Sequence, residues 1–125
     1  MAGMARGQVW LASVSFQENP SSSKNRPVIV LGEFPDGDVF AAKVTSQDIE
    51  ARGRKAYRLD GYERYGLRKM SWVNLGYALK LPPGRFMVKF GSIPYDVLYD
   101  IEAGLGGRPS GVTAGRLDAD EWMWL

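Results

Sequence analysis

Apolar and polar side chains alternate along several short stretches of the chain, which is the pattern of β-strands with one buried face. The stretch 8–16 places four apolar residues on one face: Trp10, Ala12, Val14 and Phe16. The stretch 39–45 separates two sets in the same way, with Phe40, Ala42 and Val44 on one face and Val39, Ala41 and Lys43 on the other. Both stretches are therefore predicted to be strands.

Between these two stretches lies an unbroken apolar run from Val28 to Leu31, directly after Asn25-Arg26-Pro27. A proline at the head of a strand costs little, because its missing N–H falls outside the ladder. The continuous apolar character predicts a strand that is buried on both faces. The turn residues 35–38 (Pro-Asp-Gly-Asp) follow it, so the strand 39–45 should pair back antiparallel to it.

The rest of the chain repeats this pattern and then ends in one helix. Further strands are predicted at 55–59, 67–75 and 85–90, with a turn at Asp60-Gly61 and a break at 82–84. A helix is predicted over 94–105, because four apolar residues form one stripe there: Val97, Leu98, Ile101 and Leu105. Short strands with frequent turns predict a mainly β fold, a small curved antiparallel barrel with a C-terminal helix.

Length and composition narrow the class of protein. A chain of 125 residues is long enough for one domain with one core. Its longest aliphatic run is far shorter than the roughly 20 residues that cross a membrane, and its first residues lack the apolar core of a signal peptide. A cytoplasmic location is therefore expected. The sequence has no Cys and no His, which excludes disulfides, thiolate zinc sites and Ser-His-Asp chemistry, and we expect no cofactor or metal.

The charged residues are unevenly distributed, although the net charge is only +2. Seven basic residues lie in the stretch 52–69: Arg52, Arg54, Lys55, Arg58, Arg64, Arg68 and Lys69. From Asp96 onward acidic residues dominate, so a polyanion-binding face is predicted in the basic middle. The tyrosines of this stretch are predicted either to stack on unpaired bases or to pack against the barrel: Tyr57, Tyr62 and Tyr65.

Five short segments, in this order, resemble the MazF/PemK family of toxin endoribonucleases from type II toxin–antitoxin systems. They are 7–10 (Gly-Gln-Val-Trp), 26–31 (Arg-Pro-Val-Ile-Val-Leu), 44–46 (Val-Thr-Ser), 67–71 (Leu-Arg-Lys-Met-Ser) and 90–91 (Phe-Gly). The resemblance implies an SH3-like barrel for residues 1–107. It leaves residues 108–125 as a tail that packs on the barrel or on a partner.

The same resemblance implies a metal-independent, sequence-selective endonuclease for single-stranded RNA, in which the 2′-hydroxyl attacks the adjacent phosphate. Such a toxin is a homodimer and is neutralised by a cognate antitoxin protein. Arg26 and Thr45 are implied as the catalytic pair. The predicted RNA contacts are Lys24, Asn25, Lys43, Ser46, Gln47, Arg68, Lys69 and Ser71.

The chemistry of these residue types fits phosphate stabilisation better than proton abstraction. Arginine keeps its charge and makes two hydrogen bonds to phosphate oxygens, but its pKa above about 12 makes it a poor base. A water, the substrate or Glu18 therefore stays open as the proton acceptor. On spacing alone, Arg26 is an exposed charge at a sheet edge and Thr45 is a turn residue.

Two other functions stay open at this point: a toxin of the same fold that binds DNA gyrase, and an RNA-binding barrel without catalysis. The chain also departs from the family pattern. Lys43 stands where many members have proline and would add charge beside the site, and Ser21-Ser22-Ser23 replaces a Gly-Glu or Gly-Gln element. The acidic, tryptophan-containing tail 116–125 has no counterpart; it either packs on the barrel or at an interface, or folds over the basic groove.

Overall fold

The computed structural model of the protein describes residues 4–15 and 23–113. Within these ranges the strands are β1 Gln8–Ser15, β2 Ser23–Glu33, β3 Val39–Thr45, β4 Ala56–Leu59, β5 Ser71–Asn74, β6 Leu79–Leu81 and β7 Phe86–Ser92. One α-helix, α1, spans Tyr95–Gly104, and two short 3₁₀ helices span Tyr62–Tyr65 and Pro83–Arg85. The predicted mainly β fold with a C-terminal helix is confirmed.

The strands form one antiparallel sheet in the order β4-β5-β3-β2-β1-β7. β2 runs along one edge of β3, while β6 and β5 follow each other along the opposite edge. The pairing of β2 with β3 shifts between Val30 and Gly32, and a bulge of this kind bends the strand and increases its twist. The sheet is curved and barrel-like but not closed, because β4 and β7 remain as its two edges.

The two faces of the sheet bury separate sets of apolar side chains. The first set contains Phe40, Ala42 and Val44 of β3, Ile29 and Leu31 of β2, and Leu98 and Ile101 of α1. The second set contains Val39 and Ala41 of β3, Val28 and Val30 of β2, and Ala12 and Val14 of β1. The predicted alternation in β3 and the burial of β2 on both faces are therefore confirmed. Phe16, the fourth residue of the apolar face predicted for the first strand, lies outside the described residues.

Other predicted elements are present with different bounds. The stretch predicted as a strand at 67–75 pairs only over β5, because Leu67 instead enters the core after the first 3₁₀ helix. The predicted turn at Asp60-Gly61 and the break at 82–84 each lead into a 3₁₀ helix. β6 was not predicted, because three residues are too few to show a period. None of the helices in the described ranges is long and apolar enough to cross a membrane.

The helix α1 is tied to the segment before β1 by Arg6. The Arg6 guanidinium donates hydrogen bonds to the Glu102 carboxylate and, at 3.0 Å, to the Tyr95 hydroxyl. Burial opposes the charge on Arg6, but the bonds to Glu102 and Tyr95 outweigh it and raise its pKa. This ion pair fixes the helix against the start of the sheet.

After α1 the chain returns to the sheet. Thr113 forms an isolated antiparallel bridge with Glu33 at the end of β2, and Val112 packs against the first core set. The part of the tail up to residue 113 therefore lies on the barrel. The domain boundary at 107 stays a prediction, and so does the packing of residues 114–125, which lie outside the described ranges.

Candidate functional site

A cleft of about 530 Å³ opens at the point where β2 and β3 separate. The ladder between these strands ends at the pair Val28 and Lys43. Beyond that pair, β2 continues beside β1, while β3 continues beside β5. The cleft is lined by Leu11, Lys24, Asn25, Arg26, Pro27, Val44, Thr45, Ser46, Gly66, Leu67, Arg68, Lys69, Ser71 and Phe90. We call it the basic cleft.

The pairing register explains why Arg26 and Thr45 meet in the basic cleft. Continuing the antiparallel register two residues past Val28 and Lys43 sets Arg26 opposite Thr45. The two strands no longer bond to each other there, so both residues border the gap between them. Arg26 is half-buried and Thr45 is only 8% exposed. The residues implied as the catalytic pair are thus brought together by the fold, although their role stays a prediction.

The Thr45 hydroxyl is held in one orientation by its own chain. It accepts a hydrogen bond of 3.1 Å from the backbone N–H of Gln47, which is a local turn of the kind that Thr often makes after a strand. The bond occupies an oxygen lone pair and leaves the hydroxyl proton available for donation. Among the described residues the Thr45 hydroxyl donates to no acceptor, so a ligand oxygen in the cleft is a suitable partner.

The basic cleft carries four cationic side chains: Lys24, Arg26, Arg68 and Lys69. Its described lining contains no carboxylate, and none of the four forms an ion pair within the described ranges. Three cations outside the cleft form ion pairs in the described ranges: Arg6 with Glu102, Arg58 with Asp60 and Lys80 with Asp36 and Asp38. Concentrated, unpaired positive charge in a concave site attracts anions over a range set by the ionic strength.

Ser71 lines the basic cleft but already uses its proton. It is buried, and its hydroxyl donates a 2.8 Å hydrogen bond to the backbone carbonyl of Lys69. This bond fixes the turn that carries Arg68 and Lys69. Asn25 and Ser46 also line the cleft and are exposed, so their side chains are open to a ligand.

Lys43 and Gln47 are the predicted RNA contacts that the structure does not bring to the cleft. Lys43 shares the face of Val39 and Ala41, and its ammonium lies 3.5 Å from the hydroxyl of Tyr77. Alternation along β3 already placed Lys43 on that face, so it adds no charge to the lining. Gln47 contributes through its backbone N–H, which orients Thr45.

The tyrosines of the basic stretch pack against the barrel. Tyr65 is buried in the first core set, and Tyr57 and Tyr62 pack against that set. Burial and then the charge and hydrogen bond of Asp100 raise the pKa of Tyr57. Of the two alternatives for these tyrosines, packing against the barrel is the one that the structure has for Tyr65. Among the basic residues of this stretch, only Arg68 and Lys69 line the cleft.

The apolar part of the lining was not recognised as site from the sequence. It consists of Leu11, Pro27, Val44, Leu67 and Phe90. Phe90 is 37% exposed, which leaves an aromatic face beside the cations. The sequence predicted a strand at 85–90, but only the fold shows that Phe90 of this strand borders the cleft.

One wall of the cleft depends on two glycines. Gly66 has φ +84°, and a Cβ there would collide with the Phe90 carbonyl. A Cβ on Gly91 would lie 2.6 Å from the Tyr65 carbonyl. The turn before Arg68 therefore approaches β7 more closely than any other residue type would allow.

Comparison with known proteins identifies the family of the chain. The family model described as "PemK-like, MazF-like toxin of type II toxin-antitoxin system" matches residues 5–106, which is most of the chain. No match was found among curated proteins. Within the described ranges, no group of three or more Asp and Glu residues is placed to hold a metal ion. The chain belongs to the PemK-like, MazF-like family of toxins of type II toxin–antitoxin systems.

Proposed function

We propose that this family member is a sequence-selective endoribonuclease for single-stranded RNA that acts in the cytoplasm without a metal. The observation that carries the proposal is the meeting of Arg26 and Thr45 in a cleft with four cations and no described carboxylate. A cleft of this charge favours a polyanion. Its apolar and aromatic wall, with Phe90, favours unpaired bases over a closed duplex.

In the proposed reaction the 2′-oxygen of the RNA bonds to the adjacent phosphorus and the bond from phosphorus to the 5′-oxygen breaks. The products are a 2′,3′-cyclic phosphate and a 5′-hydroxyl end. Arg26 stabilises the added negative charge on the phosphoryl oxygens, because its fork makes two charge-assisted hydrogen bonds. The oriented Thr45 hydroxyl donates a third.

The same reaction moves one proton from the 2′-hydroxyl and delivers one to the 5′-oxygen. The described lining of the cleft holds no carboxylate, and the chain has no histidine. A water or the substrate phosphate is therefore the acceptor within the described ranges. Glu18, the remaining protein candidate, lies outside them.

Membership in the family implies an antitoxin partner. We include in the proposal that an acidic segment of this antitoxin occupies the basic cleft, where it would exclude RNA. We also include a homodimer. The edge strand β7 exposes Met87 at 55% and Val88 at 47%, next to Phe90 of the cleft. An exposed apolar edge strand is a ready site for pairing with another chain.

The proposal is tested by incubating the purified protein with a long RNA in excess EDTA and mapping the ends that appear. We expect a small set of new 5′-hydroxyl ends that share a sequence motif. RNA that is bound but keeps its original ends would instead identify a non-catalytic RNA-binding barrel. Intact RNA together with inhibition of DNA gyrase would identify a gyrase-binding toxin.

A further inference from the structure

We propose that the basic cleft also binds the acidic, tryptophan-containing segment 118–125 of this chain, which competes there with RNA. The consequence for RNA depends on the proposed function. The docking itself follows from the charge of the segment, from its length and from the direction of the chain at Thr113. The four cations of the cleft have no ion-pair partner in the described part of the chain.

The sequence of the segment is complementary to the cleft. Three carboxylates lie close together, Asp118, Asp120 and Glu121, and the segment contains no Lys or Arg. Four large apolar residues follow them: Trp122, Met123, Trp124 and Leu125. The cleft offers the matching pair of surfaces, cations on the turn 68–69 and on β2, and an apolar wall that includes Leu67 and Phe90.

At Thr113, the last residue that the structure describes, the chain runs antiparallel to β2. Thr113 and Glu33 exchange two backbone hydrogen bonds of 3.0 Å in an antiparallel bridge. Because the bridge is antiparallel, the chain at Thr113 points toward the beginning of β2, where Lys24 and Arg26 lie.

The length of the segment is sufficient to reach the cleft. At roughly 3.3 Å per residue, the path along β2 from Glu33 back to Arg26 is about 23 Å. An extended chain covers at most about 3.6 Å per residue, so Glu121 reaches up to roughly 29 Å from Thr113. Asp120 and Glu121 therefore reach the cations of the same chain, whereas Asp118 extends at most about 18 Å from Thr113 and lies before them, and the tryptophans reach beyond.

A spin label tests the docking without RNA. The chain has no cysteine, so Ala119→Cys creates a single site for a nitroxide. We expect the label to broaden the amide NMR signals of Asn25, Thr45 and Lys69, and high salt to abolish this broadening, because surface charge pairs are screened. The same label on the exposed residue Ser110, which lies near the Glu33 end of β2 and not at the cleft, is the control. Signals at the cleft that are equally sharp with and without the Ala119 label would overturn the proposal.

A charge-neutral variant tests the competition with RNA in the full chain. Asp118→Asn, Asp120→Asn and Glu121→Gln are combined, and affinity is measured by fluorescence anisotropy with an uncleavable 2′-O-methyl RNA strand. We expect binding at least about threefold tighter than wild type, since exposed ion pairs are individually weak but act together. Glu50→Gln, Glu63→Gln and Asp96→Asn change the net charge equally at exposed positions outside the cleft lining.

The two variants together separate a specific contact from a general charge effect. Equal tightening in both would contradict competition at the cleft, and so would unchanged affinity in the tail variant. Failure of this inference is distinguishable from failure of the proposed function. A protein that shows the broadening but never cleaves RNA retains the docking and loses only the proposed nuclease activity.

Discussion

Thr45 shows how a single hydroxyl serves both the turn and the site. Its oxygen accepts the Gln47 N–H, so the side chain is fixed after β3 ends, and its proton faces no acceptor in the described part of the chain. Because a β-branched side chain has few rotamers, little entropy is lost when it binds a ligand oxygen. The turn interpretation and the catalytic interpretation of this residue are therefore compatible.

We predict that Thr45→Val lowers the rate of RNA cleavage by about 10²-fold, because it removes one preorganised donor. The variant keeps the shape of the side chain and loses a single hydrogen bond to Gln47, which costs about 1 kcal/mol in the free energy of unfolding. Thr45→Ser is the matched control and should retain most of the activity. A Thr45→Val protein as fast as Thr45→Ser would show that the hydroxyl is only a turn residue.

Residue types and spacing predicted much of the site lining but not all of it. Lys24, Arg26, Thr45, Arg68 and Lys69 were expected from the sequence, and the cleft contains them. Lys43 was expected at the site because of its charge, but its position in β3 places it on the face of Val39 and Ala41, outside the cleft lining. Phe90 and Leu67 were missed because only the folded sheet brings these distant segments beside β2.

At the scale of elements, the cleft exists because two strands exchange partners. β2 stays with β1 and β3 stays with β5 after their common ladder ends. Apolar alternation predicted β2 and β3, since a period of two residues is visible over their lengths. The point at which they separate was not predictable, because it depends on pairing with β5 and on the turn that Gly66 allows.

We predict that Gly66→Ala destabilises the fold more than Gly37→Ala. Both glycines have a positive φ, +84° and +90°, so both variants pay a backbone strain of about 1–2 kcal/mol. Only at Gly66 would the new Cβ also collide with a backbone carbonyl, since nothing lies within 4 Å of the Gly37 position. Urea unfolding measures the difference, and equal losses at the two positions would contradict the close approach of this turn to β7.

At the scale of the whole molecule, the edge strand β7 links the site to the proposed homodimer. Its residues Met87 and Val88 are exposed while Phe90 borders the basic cleft. A partner seated on this edge would therefore lie beside the cleft and lengthen the surface available to RNA. The opposite edge, β4, is short and carries the exposed Arg58–Asp60 ion pair.

We predict that Val88→Glu converts the proposed homodimer to a monomer, because it would place a charge in the proposed apolar interface. Sedimentation velocity gives the mass, and Ala51→Glu adds the same charge on an exposed loop as the control. A wild-type protein that sediments as a monomer, or a Val88→Glu variant that remains a dimer, would exclude β7 as the interface.

Our main proposal is that Arg26 stabilises phosphate charge during metal-independent RNA cleavage. Its most direct test is the initial rate of cleavage in EDTA for wild type, Arg26→Ala and the control Arg54→Ala, an exposed arginine outside the cleft lining. We predict a loss of about 10²–10³-fold for Arg26→Ala, wild-type rates for Arg54→Ala, and unchanged circular dichroism. Cleavage at the wild-type rate by Arg26→Ala, or loss of wild-type activity in EDTA, would contradict the claim.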